Sequence, residues 1–126
     1  LILGIAALFF ISCENFLMSM PSELIGTWQR GSDYVNQFKF TRTMLYYESW
    51  SVTYPGQFES SYECELEDVL EDENMIYTDC HIYYAYHISG STLYLYKTNY
   101  DDPKPELPDS WWTDGDIAKY TLSRVD

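Results

Sequence analysis

Hydrophobic and polar residues alternate along most of this chain, which is the pattern of β-strands with one buried face. Between positions 58 and 66 the even positions are mostly apolar, and the odd positions are mostly glutamate. The predicted inward residues of this strand are Phe58, Ser60, Tyr62, Cys64 and Leu66. Positions 76 to 88 continue the alternation as one further predicted strand, with the inward residues Ile76, Cys80, Ile82, Tyr84, Tyr86 and Ile88.

A third strand is predicted between positions 44 and 54. Its predicted inward residues are Met44, Tyr46, Trp50, Val52 and Tyr54, with Glu48 among them. A buried carboxylate is costly unless it is paired. Glu48 therefore either contacts a polar or cationic group inside the domain, or a β-bulge turns it to solvent.

Turn residues separate these strands and set their pairing. Pro55-Gly56 and the acidic run 71–74 link successive strands, and Gly90-Ser91 is typical of a two-residue hairpin. Across that hairpin Ile88 should oppose Leu93, so apolar residues meet on one face. With a final strand over about 118–125, the chain is predicted to be all-β. Seven or eight antiparallel strands follow one another in a meander, as a barrel or a sandwich.

Composition agrees with one small β domain. The chain has 126 residues, 18% of them aromatic, and 13 tyrosines, which suit strands better than helices. The formal net charge is −13. A domain this acidic repels phosphate backbones, which argues against a nucleic acid partner.

Residues 1–12 are apolar and too short to span a bilayer as a helix, which fits a secretion signal whose amino end is truncated. The motif Phe10-Ile11-Ser12-Cys13 resembles a bacterial lipobox. The resemblance implies that Cys13 is lipidated and that residues 13–22 are a tether. It also implies a lipoprotein anchored in a membrane of the cell envelope, facing the periplasm or the exterior. An ordinary signal or a truncated membrane anchor is the alternative.

The remainder, residues 23–126, resembles lipocalin-like domains. It opens with Gly26-Thr27-Trp28, has a similar late hairpin over residues 86–95, and ends with a similar strand over residues 120–125. The resemblance implies a small up-and-down barrel that binds a small ligand. It also implies that Arg124 on the last strand covers the ring of Trp28, with an ordinary exposed arginine as the alternative.

The two remaining cysteines are predicted to form a disulfide. A hairpin centred on Asp72 pairs positions whose numbers sum to 144, which places Cys64 opposite Cys80. Export to an oxidising compartment favours the bond. Two buried free thiols are the alternative.

No catalytic or metal motif emerges from the sequence. The acidic run 63–73 lacks EF-hand spacing, Asp114-Gly115-Asp116 is typical of a turn, and Cys80-His81 lacks the spacing of a zinc site. No nucleophile motif is present. We therefore expect neither an enzyme nor a cofactor.

The surplus of inward tyrosines predicts a ligand pocket, because each buried hydroxyl needs a hydrogen-bond partner. The predicted lining is Tyr46, Trp50, Tyr54, Tyr62, Tyr84, Tyr86 and Tyr120, with Glu48 as a polar contact. Trp111 and Trp112, on a long connection, are predicted to cap the open end. The leading hypothesis is a module that binds a small amphipathic molecule. The alternatives are a protein-interaction module with a filled core, such as a surface factor or a periplasmic enzyme inhibitor, and a purely structural envelope protein.

Overall fold

The computed structural model describes residues 18–98 and 104–126, which form eight strands and two short 3₁₀ turns. The strands are β1 (Gly26–Arg30), β2 (Tyr34–Phe40), β3 (Met44–Ser51), β4 (Ser60–Leu70), β5 (Met75–Thr78), β6 (Ile82–Ser89), β7 (Thr92–Lys97) and β8 (Tyr120–Arg124). The predicted signal and Cys13 lie outside the described residues. Within the described ranges, no helix has the length and apolar character needed to cross a membrane.

The strands form a closed antiparallel barrel in chain order. Each strand pairs with the next, and β8 pairs with β1 through Trp28↔Arg124 and Gln29↔Ser123. The hairpin at Gly90-Ser91 has the predicted register, with Ile88 opposite Leu93. The all-β prediction and the up-and-down barrel are therefore confirmed, with eight strands.

The single strand predicted over residues 76–88 is wrong, because β5 and β6 are separate strands joined by a turn at residues 79–81. His81 adopts a left-handed backbone conformation with φ 61° in this turn. The three-residue connection places Thr78 opposite Ile82. Opposed residues share a face of the sheet, so the inward alternation runs through the turn without a break. The pattern alone therefore hides the turn.

The inward face predicted for β3 is also wrong. Leu45, Tyr47 and Ser49 are buried, whereas Tyr46 and Glu48 are exposed on the outer face. Both alternating sets of this strand contain aromatic residues, so hydrophobicity does not distinguish the two faces. The β2–β3 register runs without a shift, and Glu48 reaches solvent through the regular alternation of the strand and not through a bulge.

Phe58 corrects the predicted start of β4. It precedes the strand, has φ 58° and is 67% exposed, whereas the inward positions from Tyr62 onward follow the predicted parity. The left-handed conformation removes Phe58 from the extended chain.

A dense apolar core fills most of the interior of the barrel. Its fully buried residues include Leu24, Trp28, Phe38, Phe40, Leu45, Ile76, Leu93, Leu95 and Leu122. Met20 belongs to the same core at 2% exposure, so the folded domain includes part of the segment predicted to be tether. Met20 and Leu24 lie beside Trp28 at one end, which we call the closed end.

Candidate functional site

Arg124 lies over Trp28 at the closed end, as the resemblance implies. Its guanidinium carbon is 4.2 Å from the centre of the indole ring. Its terminal nitrogens donate to the carbonyl oxygens of Ile25 at 3.0 Å and Glu23 at 2.9 Å. The Trp28 indole N–H donates to the Leu24 carbonyl oxygen at 2.9 Å. These polar contacts hold the closed end together, so Arg124 and Trp28 have a structural role there.

The predicted disulfide between Cys64 and Cys80 is confirmed, with a Cα–Cα distance of 5.6 Å. Cys64 lies in β4, and Cys80 lies in the turn between β5 and β6. A register shift between Leu66 and Asp68 leaves Leu66 opposite Thr78, whose positions sum to 144 as the hairpin argument requires. The bond ties that turn to the neighbouring strand.

The opposite end of the barrel, which we call the mouth, is where β1, β3 and β7 end and β2, β4 and β8 begin. Tyrosine hydroxyls meet here. The Tyr62 and Tyr84 hydroxyl oxygens are 3.1 Å apart, and the Tyr47 ring stacks on the Tyr62 ring with centroids 4.8 Å apart. The Tyr120 ring packs against Phe38 at 4.9 Å.

Two cations and an amide enter this hydroxyl network. The Lys97 ammonium donates to the Tyr62 hydroxyl at 3.1 Å and lies 5.0 Å from the centre of the Tyr62 ring. The Arg30 Nε donates to the Asn36 side-chain oxygen at 2.8 Å, and the Asn36 amide donates to the Tyr47 hydroxyl at 2.9 Å. Among the described residues, every buried side-chain nitrogen or oxygen has a hydrogen-bond partner. The hydroxyls of Tyr62 and Tyr84 bond to each other, and the Lys97 ammonium and the Asn36 amide supply the other donors.

Burial keeps these tyrosines protonated. It raises the pKa of Tyr62 to about 12, and it raises the pKa of Tyr84 further, aided by the neighbouring Tyr62. It also raises the pKa of Tyr120 and lowers the pKa of the Lys97 ammonium, because desolvation disfavours the charged form of each group. The network therefore offers neutral hydroxyls beside cationic nitrogens.

A cavity of about 290 Å³ opens at the mouth. It is lined by Arg30, Lys97, Ala118, Lys119 and Tyr120. The Lys119 ammonium donates to the carbonyl oxygens of Asp114 and Ile117, so it is held by the chain. Arg30 and Lys97 are the cations whose remaining donors serve the cavity.

The predicted pocket lining is partly present. Tyr62, Tyr84, Tyr86 and Tyr120 belong to the core or pack against it. Tyr86 lies apart from the mouth, near Glu23, and burial together with that carboxylate raises the pKa of Tyr86 to about 12. The remaining predicted residues Tyr46, Glu48, Trp50 and Tyr54 lie outside the barrel, as a consequence of the opposite facing of β3 and of its end at Ser51.

The predicted lid is wrong. Trp111 is buried against Met75 and Ala85, which face outward from β5 and β6. Trp112 stacks on the His87 ring with centroids 3.6 Å apart. Residues 104–117, which we call the strap, therefore cover the outer wall of the barrel. The outward side chains of β5–β7 form an apolar strip. The strap buries this strip and does not cover the mouth.

The connection between β3 and β4 exposes an apolar patch. Val52, Tyr54 and Phe58 are all more than half exposed, and Pro55-Gly56 lies between them. Exposed aromatic residues clustered on a loop are typical of contact surfaces.

The sequence analysis missed Arg30, Asn36, Tyr47 and Lys97 as mouth residues. Lys97 has a sequence signal, since it continues the inward parity of Leu93 and Leu95. Arg30 shares the parity of Trp28 in the same way. A cation in line with buried apolar positions at the end of a strand indicates a barrel mouth.

No protein-family model, curated protein or solved structure matches the chain.

Proposed function

We propose that the protein is a membrane-tethered lipoprotein of the cell envelope whose lipocalin-like barrel binds a small amphipathic molecule at the mouth. The observation that carries this proposal is the mixed lining of the mouth cavity. The Tyr120 ring and Ala118 supply apolar surface, and Arg30 and Lys97 supply charge. Small-molecule sites combine apolar surface with a few convergent polar groups in this way.

The position of the cavity indicates how far into the barrel a ligand can enter. The apolar core fills the barrel below the tyrosine hydroxyls, so a ligand sits at the mouth and not along the barrel axis. The contacts of Arg30 with Asn36 and with the Tyr120 ring, at 4.3 Å, hold the lining in place before a ligand arrives. A preorganised lining reduces the entropy cost of binding.

A ligand panel tests this proposal. Alkyl compounds that share one chain length and differ in head group are titrated while the melting temperature and Trp fluorescence are recorded. We expect at least one head group to raise the melting temperature, because a ligand that binds only the folded state stabilises it. No shift with any member of the panel would contradict a small-molecule role.

The anchor is tested separately by Cys13→Ser expressed in a bacterial host. We expect the variant to lose the mass of the acyl chains and to leave the membrane fraction, because the lipidated thiol is gone. Unchanged mass and unchanged partitioning would contradict the lipoprotein assignment while leaving the binding proposal intact.

A protein-interaction module is the second candidate, and the patch of Val52, Tyr54 and Phe58 favours it. Under this alternative, the double variant Tyr54→Ser/Phe58→Ser loses an identified envelope protein in affinity capture, and Lys97→Met retains it. A ligand titration compares the same two variants. Loss of ligand binding in Lys97→Met, with binding kept in Tyr54→Ser/Phe58→Ser, favours the small-molecule function.

A further inference from the structure

The mouth concentrates positive charge in a strongly acidic chain. The sequence has 20 acidic and 7 basic residues, yet Arg30 and Lys97 both face one cavity. Ion pairs within the described residues join Lys104 to Glu73 and Arg124 to Asp126. Neither mouth cation has a described carboxylate within the 4.0 Å limit of an ion pair.

The hydrogen-bond geometry leaves donors in excess at the mouth. The Lys97 ammonium has three hydrogens and donates to the Tyr62 hydroxyl, and Arg30 uses its Nε for Asn36. The terminal nitrogens of Arg30 donate to no side chain or carbonyl oxygen of the described residues, which leaves their donors for a ligand. The rings of Tyr47 and Tyr62, 6.0 and 5.0 Å from the Lys97 nitrogen, offset part of its desolvation cost but accept no strong hydrogen bond.

This arrangement selects the charge of a ligand. A cationic head group is repelled by both side chains, and a neutral alcohol adds no charge to balance them. A carboxylate or phosphate supplies several acceptor oxygens and the missing negative charge. The protonated hydroxyls of Tyr62 and Tyr84, which stay neutral up to high pH, do not oppose that charge.

We propose that the mouth is an oxyanion site that binds the carboxylate or phosphate head group of a small amphipathic molecule, with Lys97 and Arg30 as its charge partners. This inference rests on the proposed function and narrows it to one class of ligand. The Tyr120 ring and Ala118 then contact the apolar part of the same molecule.

Octanoate, octyl phosphate, octanol and octylammonium share one alkyl chain and are titrated by calorimetry into the folded protein. We expect each anion to bind about tenfold or more tightly than octanol, and octylammonium to bind weakest. Lys97→Met keeps the length of the side chain and removes its charge, so it should lose that tenfold preference and leave octanol unaffected. Arg30→Gln, which removes the charge of the other partner, should act in the same direction.

Lys39→Met is the matched control, because it changes the net charge equally at an exposed position on the outer face of β2. It should leave the preference for anions unchanged. Binding of phosphatidic acid vesicles, lost in Lys97→Met, would support the same oxyanion site with a membrane lipid as the source. Binding of the soluble anions without binding of the vesicles would support a free ligand.

Two results overturn the inference in distinguishable ways. If octanol binds as tightly as the anions, and Lys97→Met changes nothing, the oxyanion site is refuted and the small-molecule function stands. If no compound of the set binds to a wild-type protein shown to be folded by circular dichroism, the proposed function fails together with the oxyanion site.

Discussion

Single side chains decide the character of each end of the barrel. Arg124 joins the last strand to the first turn at the closed end, through two backbone carbonyls and the Trp28 ring. Lys97 carries charge into the opposite end. Both follow the inward parity of their strands, so their direction is a property of local sequence, whereas their partners are set by the closure of the barrel.

Arg124→Met should lower the free energy of unfolding by about 2 kcal/mol. The substitution removes two charge-assisted hydrogen bonds and the stacking on Trp28, and the side chain is partly exposed, which limits the loss. Urea unfolding followed by Trp fluorescence measures the change. Arg42→Met, at an exposed side chain, is the control and should lie within about 0.5 kcal/mol of the wild type.

Alkaline pH should destabilise the barrel through its buried tyrosines. An unfolded tyrosine ionises near pH 10, whereas the folded pKa of Tyr62 is about 12 and that of Tyr84 is raised further. The folded state therefore holds protons that the unfolded state releases. The corresponding stability is fully present below about pH 10 and is lost as pH rises toward about 12.

Urea unfolding at a series of alkaline pH values measures this loss. Tyr62→Phe should reduce the slope of stability against pH, because its hydroxyl no longer titrates. Tyr54→Phe, at an exposed hydroxyl, should retain the wild-type slope. An equal slope in all three proteins would exclude Tyr62 as a cause of the alkaline loss.

The facing of individual residues could be predicted only where one alternating set is clearly polar. In β4 the outward glutamates fixed the inward side of Tyr62, Cys64 and Leu66. In β3 both sets contain tyrosine, and the inward side carries Ser49 and Ser51, which bury small hydroxyls against the mouth. Glu48 was the informative residue there, because an unpaired carboxylate belongs outside.

At the scale of elements, the strap is the part that the strand pattern does not predict. Leu107 and Ile117 are partly buried with Trp111 against the outer wall of β5–β7. The alternation there places Met75 and Ala85 outward, which leaves an apolar strip that requires a cover. An apolar outward face on a barrel strand thus predicts a covering segment, although not its path.

Trp111→Ala should release the strap while the barrel stays folded. The change removes a nearly buried indole, at a cost of up to about 3 kcal/mol that falls on the strap, since the barrel core does not contain Trp111. Hydrogen exchange should accelerate over residues 104–117 and over the outer amides of β5. Trp112→Ala, at a half-buried ring, should have a smaller effect, and equal exchange in both variants would refute the anchoring role of Trp111.

Reduction of the disulfide should lower the free energy of unfolding by about 3 kcal/mol. The bond closes a loop with a sequence separation of 16, and its removal frees the unfolded chain more than the folded one. Urea unfolding with and without reductant measures the difference. The variant Cys64→Ala/Cys80→Ala should be insensitive to reductant, and reductant sensitivity in that variant would point to another cause.

At the scale of the whole molecule, the alternating segments and the turns between them predicted an antiparallel meander, but they left a barrel and a sandwich both open. Five of the connections between consecutive strands have two to four residues, which favours adjacent antiparallel pairing, whereas the β3–β4 and β7–β8 connections are longer. The mouth could be predicted less well, because its residues come from β1, β2, β3, β4, β6, β7 and β8. Pairing of β1 with β8 across the closed circle brings Arg30 beside Tyr120, and no local pattern contains that information.

The barrel also has a polarity, since the first described residues enter at the closed end, where the Met20 amide donates to the Arg42 carbonyl oxygen at 2.7 Å. Five residue-to-residue steps separate Cys13 from Met18, and they can span at most about 17 Å. A lipid on Cys13 would thus keep the closed end near the bilayer and turn the mouth away from it. With the proposed anchor, the mouth would face the aqueous side, so the proposed site would be reached more readily by dissolved anions than by lipids of the leaflet beneath the domain.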